Sequence, residues 1–423
     1  MKRLKVILIG AGNRGRLYTD LMEPEKFEVV AVAEPSKSLR DYIKNKHNIP
    51  EELCFESWDP IFEMDKFADV AVIATMDKLH YEPTMKAIAK GYDLLLEKPI
   101  APTYEECVDI ANLAKEKGVK ILVCHVLRYA PLFRAIKDMI NEGKIGKVIS
   151  IHHCECVGNE HQSHSFVRGN WGNSDKSSCM ILQKCCHDMD IMQWLIGEKC
   201  TRVQSFGNLT YFKEENAPEG APDYCIDGCP HADTCYYNAV KLYVEGNNLG
   251  FREVATKIKN PTDEQVAEAL RTTQYGKCVF KCDNNVVDHQ VVNLEFEGGA
   301  LASFNMCCFS RGWRFIRVMG TDGEVYGDMS NNSLKYFDFK TREHYLSTAT
   351  DGDDANGYVG HGGGDKGIVD TLYKYIVEDY DGDMLSEIGI STENHLIAFA
   401  AEKSRVEDSI VNIKEFEKEI GMK

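Results

Sequence analysis

The stretch Lys5-Val6-Ile7-Leu8-Ile9-Gly10-Ala11-Gly12-Asn13-Arg14-Gly15 decides the fold of this 423-residue chain. Val6 to Ile9 are apolar in succession, as in a strand buried on both faces. The glycines then permit a tight turn into a helix whose first N–H groups stay free, a ready site for a diphosphate. Outward from this point the theme repeats. Glu28–Ala33, Asp69–Ala74 and Tyr92–Leu96 are short apolar runs, and Val119–Cys124 reads as a further strand. Between them, helix 81–90 ends at Gly91, and Thr103-x-x-Glu106 opens a helix that Gly118 closes. Strand and helix in alternation make an α/β, doubly wound parallel sheet of the Rossmann type. Glu34 ends the second strand, where a carboxylate accepts both hydroxyls of an adenosine ribose and repels a 2′-phosphate. NAD is therefore expected over NADP, although Lys37 and Arg40 stand close behind; the plainer alternative is a glycine turn beside a surface Glu.

Bulk properties narrow the possibilities. Hydrophobic residues are 43% and charged residues 27%, a globular balance, and the length favours two domains. We place them at 1–124, for the nucleotide, and 125–423, with an irregular insertion at about 214–273. Lys and Arg number 49 against 66 Asp and Glu, a net charge of −17 that disfavours nucleic acid and anionic membranes. No apolar run nears the roughly 20 residues a bilayer needs, and Met1-Lys2-Arg3 runs straight into a strand, so a cytoplasmic protein is expected. The sixteen cysteines include the adjacent pairs Cys185-Cys186 and Cys307-Cys308 and read as reduced thiols. Within the insertion, Cys225-x3-Cys229-x5-Cys235 either holds a zinc, completed by His231, Cys278 or Cys282, or is a set of free thiols.

The second half changes period. From His289 to Glu297 apolar Val292, Leu294 and Phe296 alternate with Asn293, Glu295 and Glu297, the pattern of a half-exposed antiparallel strand. Gly298-Gly299 turns it into Ala300–Cys307, and Trp313–Met319 continues the sheet. Helices are expected at 131–142, packing back on the first domain, and at 187–196, 365–378 and 394–406. The second domain is thus α+β with an open, mainly antiparallel sheet.

Several side chains are candidates for chemistry. Lys98, in Glu97-Lys98-Pro99 at the carboxyl edge of the sheet, can donate to a substrate hydroxyl and stabilise alkoxide character, unless it marks only a solvated strand end. His161, His164, Arg168 and Trp171 form a polar and aromatic loop suited to a polyhydroxylated ring, or simply a solvated loop. Asp288-His289 and Gly360-His361-Gly362-Gly363-Gly364-Asp365 are further pocket candidates, the glycine run being otherwise a flexible connection.

Taken together, Gly10-x-Gly12-x-x-Gly15, Ala74-Thr75-x-Asp77-x-x-His80, Glu97-Lys98-Pro99 and Arg128-Tyr129 resemble the Gfo/Idh/MocA oxidoreductase family, named for glucose-fructose oxidoreductase and inositol dehydrogenase. The likeness continues through the hairpin at 289–308 and the turn Met319-Gly320-Thr321-Asp322-Gly323. It implies a cytoplasmic NAD-dependent oxidoreductase for a secondary alcohol or ketone of a sugar, inositol or sugar derivative. It also implies a large open sheet that forms oligomer contacts, hence a homodimer or homotetramer. The cofactor set it suggests is Gly10, Gly12, Asn13, Arg14, Gly15, Glu34, Thr75, Asp77, His80, Glu97, Lys98 and His125. Arg128, Tyr129, His164, Arg168, Trp171 and His289 form the expected substrate set. Lys98 and a second-domain histidine flank the reacting carbon in the family, and His187 matches that position.

Around His187 the sequence departs from the family pattern, which has Asp four residues before the histidine and Gly two before it. Gln183 and Cys185 stand there instead. In helical geometry Lys184 lies one turn before both His187 and Asp188, so a Lys-His-Asp group is expected in which His187 takes the hydroxyl proton. The alternative is that His187 packs in the helix start while Asp188 complements the dipole. Two other functions share these features: a glycosidase using bound NAD for transient oxidation and elimination, and a non-catalytic nucleotide-binding regulator.

Overall fold

A computed structural model describes residues 2–246, 248–348 and 361–421, so Met1 and Gly360 of the segments above lie outside the described residues. Six parallel strands form the first sheet: β1 (Leu4–Ile9), β2 (Phe27–Ala33), β3 (Cys54–Phe55), β4 (Val70–Ile73), β5 (Asp93–Leu96) and β6 (Ile121–Val123), in the order β3-β2-β1-β4-β5-β6. Their central residues are fully buried because helices cover both faces. Order reverses between β1 and β4, and the carboxyl ends there are where such sheets bind ligands.

One of the covering helices comes from the far end of the chain. Gly364–Val377 packs Ile368, Val369, Leu372 and Tyr373 among Leu4, Val6, Leu8 and Tyr18, and the Tyr373 hydroxyl donates to the Lys2 carbonyl at 2.8 Å. The helix Pro131–Asn141 does the opposite of what was expected. Its apolar face, Leu132, Phe133 and Ile136, joins the core of the second sheet, because that stripe meets the sheet's small Gly327 rather than a gap in the first domain.

The second sheet has nine strands: β7 (Val148–Cys156), β8 (Cys200–Asn208), β9 (His289–Phe296), β10 (Leu301–Cys307), β11 (Arg314–Gly320), β12 (Gly323–Asp328), β13 (Ser333–Asp338), β14 (His344–Thr348) and β15 (Val411–Asn412). Their order is β14-β13-β12-β11-β7-β10-β9-β8-β15, antiparallel except for the β7/β10 pair. Helices Cys186–Ile196 and Ile388–Glu407 bury the inner face, with Met189, Met192, Leu195, Ala400 and Ala401 against Leu294, Phe304 and Ile316. The second helix begins well before the expected residue 394, because the Glu387 side chain accepts the Ile390 N–H at 3.3 Å and caps it. The outer face keeps Phe206, Val291, Leu301 and Phe315 exposed.

Within the insertion, helices Leu249–Thr256 and Asp263–Thr272 enclose a small core of Ala239, Tyr243, Val266, Leu270 and Tyr275. All sixteen cysteines are free, and among the described residues no group of three or more His, Cys, Asp or Glu could hold a metal ion. Cys225 instead sits 3.7 Å from the Arg168 guanidinium. Among the described residues no helix is long and apolar enough to cross a membrane.

Candidate active site

Glycine is sterically required at two points of the first turn. Gly10 has φ +90°, and a Cβ there would meet the Ala74 carbonyl oxygen at 2.6 Å; a Cβ on Gly15 would fall 2.0 Å from the Gly10 carbonyl oxygen. Gly12 faces open space, with nothing within 4 Å, and no side chain caps the helix Asn13–Leu21 that begins after it. An open cradle beside uncapped N–H groups fits a diphosphate. Glu34 is held in place at the end of β2 by the backbone N–H groups of Ala11 and Ser36, each at 2.8 Å. Of the two basic neighbours, Lys37 pairs with Asp41, and Arg40 donates to the Glu34 and Pro35 carbonyls and pairs with Glu56. The inserted segment reaches the same region, since Glu253 pairs with Arg16 at 2.5 Å and the Lys257 carbonyl accepts from Ser36 Oγ at 2.9 Å.

From this turn a chain of polar contacts leads into the second domain. Arg14 donates to Glu97 at 2.7 Å and to Asp365 at 2.5 Å. Glu97 also accepts the Tyr18 hydroxyl at 2.6 Å and the Lys98 N–H at 2.9 Å. Burial would raise its carboxyl, but Arg14 and Lys98 hold it below its ordinary value. The Lys98 ammonium then crosses the seam to the Gln183 carbonyl at 2.8 Å. Gln183 ends a short helix, Met180–Gln183, and the next helix starts at Cys186, so His187 stands just beyond a break in the chain's helical run.

That break and the angular spacing of neighbours undo the expected Lys-His-Asp group. Lys184 turns to Glu155 at 3.4 Å, and burial lowers its pKa. Asp188 points away from His187, accepting from His153 and Arg314 at 2.7 Å each, because consecutive helical residues do not share a face. Burial would raise the Asp188 carboxyl; Arg314 and His153 drive it far down instead. His187 is left 2% exposed, with no partner for either ring nitrogen among the described residues. Burial pushes its imidazole well below the ordinary range, and Lys98, His361, His125 and Arg314 push the same way.

The remaining candidates divide. His125 lies beside His187, ring centroids 5.8 Å apart, and its ring nitrogens likewise have no hydrogen-bond partner among the described residues. His80 spans the carbonyls of Pro99 and Thr75, and the Thr75 hydroxyl donates to the Leu79 carbonyl, so both shape the loop behind Lys98. Asp77 accepts from Trp171 Nε1 at 3.0 Å and Ser177 Oγ at 2.9 Å, which brings the Trp171 loop to the first domain. Arg128 is taken up by a two-pronged pair with Asp190 and by the Leu385 carbonyl, and Tyr129 bonds Ser386; they tie the seam rather than line the cleft. His164 and Arg168 pack against the insertion and the segment after it: His164 stacks on Phe251 at 3.9 Å and bonds Tyr243, while Arg168 donates to the Lys277 and Tyr237 carbonyls. By register His289 shares the outward face of the second sheet with Val291, and it bonds Asp288 at 2.7 Å. The sequence reading missed the Glu155–Arg314–Asp188–His153 cluster, which exists because β7 and β11 pair Glu155 with Arg314 and His153 with Ile316.

This fold and cleft are those of a dinucleotide-binding oxidoreductase. Residues 4–125 match the family model described as oxidoreductase family, NAD-binding Rossmann fold, and residues 137–356 match the same family's C-terminal alpha/beta domain. The chain therefore belongs to the Gfo/Idh/MocA oxidoreductase family and its first domain is NAD-binding. It is 24% identical over 343 residues to the putative oxidoreductase YteT of Bacillus subtilis, covering 76% of each chain. A 2,7-anhydro-N-acetylneuraminate hydratase of Mediterraneibacter gnavus is 30% identical over 201 residues, 47% of this chain and half of that one. In fold the chain is similar to levoglucosan dehydrogenase in complex with NADH and levoglucosan, with a TM-score of 0.71 at 17% identity over 97% of this chain and 100% of the other.

Glu34→Ala removes the carboxylate that we propose for the ribose diol. Isothermal titration should show NAD binding weakened by about 10-fold or more with NADP much less affected; an unaltered preference would take Glu34 out of the nucleotide site.

Proposed function

We propose that this protein is a cytoplasmic NAD-dependent dehydrogenase that oxidises or reduces a secondary alcohol or ketone of a sugar, inositol or sugar derivative. The carrying observation is the Lys98 to Gln183 contact of 2.8 Å, which joins the sheet edge below the glycine turn to the corner that presents His187. Relatives that are named for sugar derivatives support the substrate class, and sixteen free thiols fit a reducing compartment. The division of labour follows the chain: 1–124 for NAD, 125–423 for substrate and assembly, with helix Gly364–Val377 returning to the first core.

Bound NAD would exchange a hydride with the substrate carbon. In this reading the chain's residues do the rest. The glycine cradle and Glu34 hold the nucleotide, and the Lys98 ammonium donates to the substrate oxygen, favouring alkoxide as hydride leaves. His187, whose ring nitrogens have no partner among the described residues, takes the hydroxyl's hydrogen bond. Lys98→Met and His187→Ala should each lower kcat at least 100-fold in a screen of polyols with NAD while NAD affinity stays nearly intact. Unchanged kcat in either would remove that residue from the reaction.

A second reading, a glycosidase or related enzyme that uses NAD for transient oxidation and elimination, is favoured by the hydratase relative and by extra titratable groups around the cleft. Lys184, His161 and His361 all stand there beyond the pair a simple oxidation needs. Accumulating NADH with substrate supports the dehydrogenase; sugar conversion without net NADH supports the alternative.

The open outer face of the second sheet supports assembly into a homodimer or homotetramer, since Phe206 is 50% exposed and Leu301 53%. Light scattering should find two or four copies and a shift toward monomer in Leu301→Glu. A monomeric wild-type protein would refute the assembly.

A further inference from the structure

The cleft contains a second imidazole that the account above does not use. His361 precedes the helix Gly364–Val377, and its ring centroid lies 5.5 Å from that of His187, the planes inclined by 53°. Among the described residues no hydrogen bond joins the two rings, and at this separation one water can bridge them. His361 Nδ1 stands 3.3 Å from a carboxylate oxygen of Asp365, one turn on. Asp365 is fully buried, and its other oxygen accepts from Arg14.

The two imidazoles differ in surroundings. Burial disfavours an imidazolium at His187, and Lys98, His361, His125 and Arg314 around it push the same way. Its ring nitrogens have no partner among the described residues. Such a ring stays neutral and serves as a hydrogen-bonding link, not as a store of charge. Around His361 stand Asp365, Arg14, Lys184, His161 and His187. Burial holds its pKa below the ordinary value, so it is unprotonated near neutral pH, yet Asp365 pulls in the opposite direction and would stabilise a proton once taken. A carboxylate on one ring nitrogen also orients the ring and leaves the other nitrogen as the acceptor, the arrangement a general base needs.

We propose that the His361–Asp365 pair is the final acceptor of the substrate's hydroxyl proton, with His187 a neutral relay between them. This rests on the dehydrogenase reading. In oxidation the substrate C–H bond breaks and its electron pair leaves as hydride to NAD, which is reduced; the O–H bond breaks and C=O forms. The hydroxyl proton enters His187 at one ring nitrogen as the other nitrogen gives up its proton, through one bridging water, to His361, which becomes an imidazolium against Asp365. Reduction runs the same steps backwards. His361 is thus a positioning residue that acts through His187, and Asp365 joins it to Arg14 and so to the nucleotide turn.

The test is a histidine-selective ¹³C NMR titration of the NAD-loaded full chain over roughly pH 4 to 8. One cleft ring should titrate below the ordinary imidazole value in the wild type and in His187→Gln, vanish in His361→Gln, and move down by about one unit or more in Asp365→Asn. The acid limb of kcat/KM should move with it in Asp365→Asn, a shift that a purely structural role would not produce. A titrating ring lost in His187→Gln but kept in His361→Gln overturns the proposal, as does an unmoved midpoint in Asp365→Asn. If His361→Gln fails to fold, the Asp365→Asn midpoint decides. The titration needs no substrate, so absence of polyol oxidation would refute the dehydrogenase reading and leave the ring assignment to be judged on its own result.

Discussion

Arg14 is the junction on which the cleft depends. Its guanidinium, 29% exposed, is shared by Glu97 from the carboxyl edge of the parallel sheet and Asp365 from a helix 351 residues further along. A charge that far out of water is tolerated because both partners are carboxylates, and each carboxylate in turn is held ionised by the guanidinium. One fork therefore fixes three things at once: the start of the nucleotide-binding helix, the backbone that carries Lys98, and the segment that carries His361. With either carboxylate gone the guanidinium would keep a single counter-charge.

The seam between the domains is built in the same way, from polar contacts satisfied on both sides. Arg128 clamps Asp190, which Asn394 also reaches; Ser386 exchanges bonds with Val123 and Tyr129; a bridge joins Leu122 to Glu387. Through these the helix bearing His187 is referenced to the last strand of the nucleotide sheet. Lys98 needs that fixed distance, because its ammonium reaches the second domain by a single contact. The histidines beside it are pushed toward the neutral form by burial: His395, for example, is held at about 3 and accepts the Ile100 N–H. A cleft lined by neutral imidazoles and lysines suits a neutral hydroxyl that must become an alkoxide.

What the chain reveals before folding follows from the range of the interactions. The glycine turn, Glu34 and the strands of the first sheet are legible because they depend on local period and on backbone space, which neighbours in sequence supply. The two-residue β3 is too short to show a period. Whether a helix packs on one sheet or the other is not local, and Pro131–Asn141 fell on the unexpected side. Asp188 has an acidic neighbour's appearance beside His187, yet its partners come from β7 and β11, whose register the sequence does not state. The polar loop with His164 and Arg168 resembles a binding loop for the same reason: its partners, Tyr243 and Tyr237 in the insertion and Lys277 just after it, convert polar side chains into internal struts. His361 and Asp365 could be singled out with their glycine run, but their attachment to Arg14 spans nearly the whole chain.

The central claim is that the glycine turn, Lys98 and His187 surround one cleft in which substrate meets the nicotinamide. A crystal structure of the protein with NAD and a turned-over polyol measures it directly. The diphosphate should lie over Gly12 with the adenosine ribose on Glu34, and the reacting carbon should sit between the Lys98 ammonium and the His187 ring. A nucleotide bound elsewhere, or a polyol out of reach of both side chains, would contradict the account.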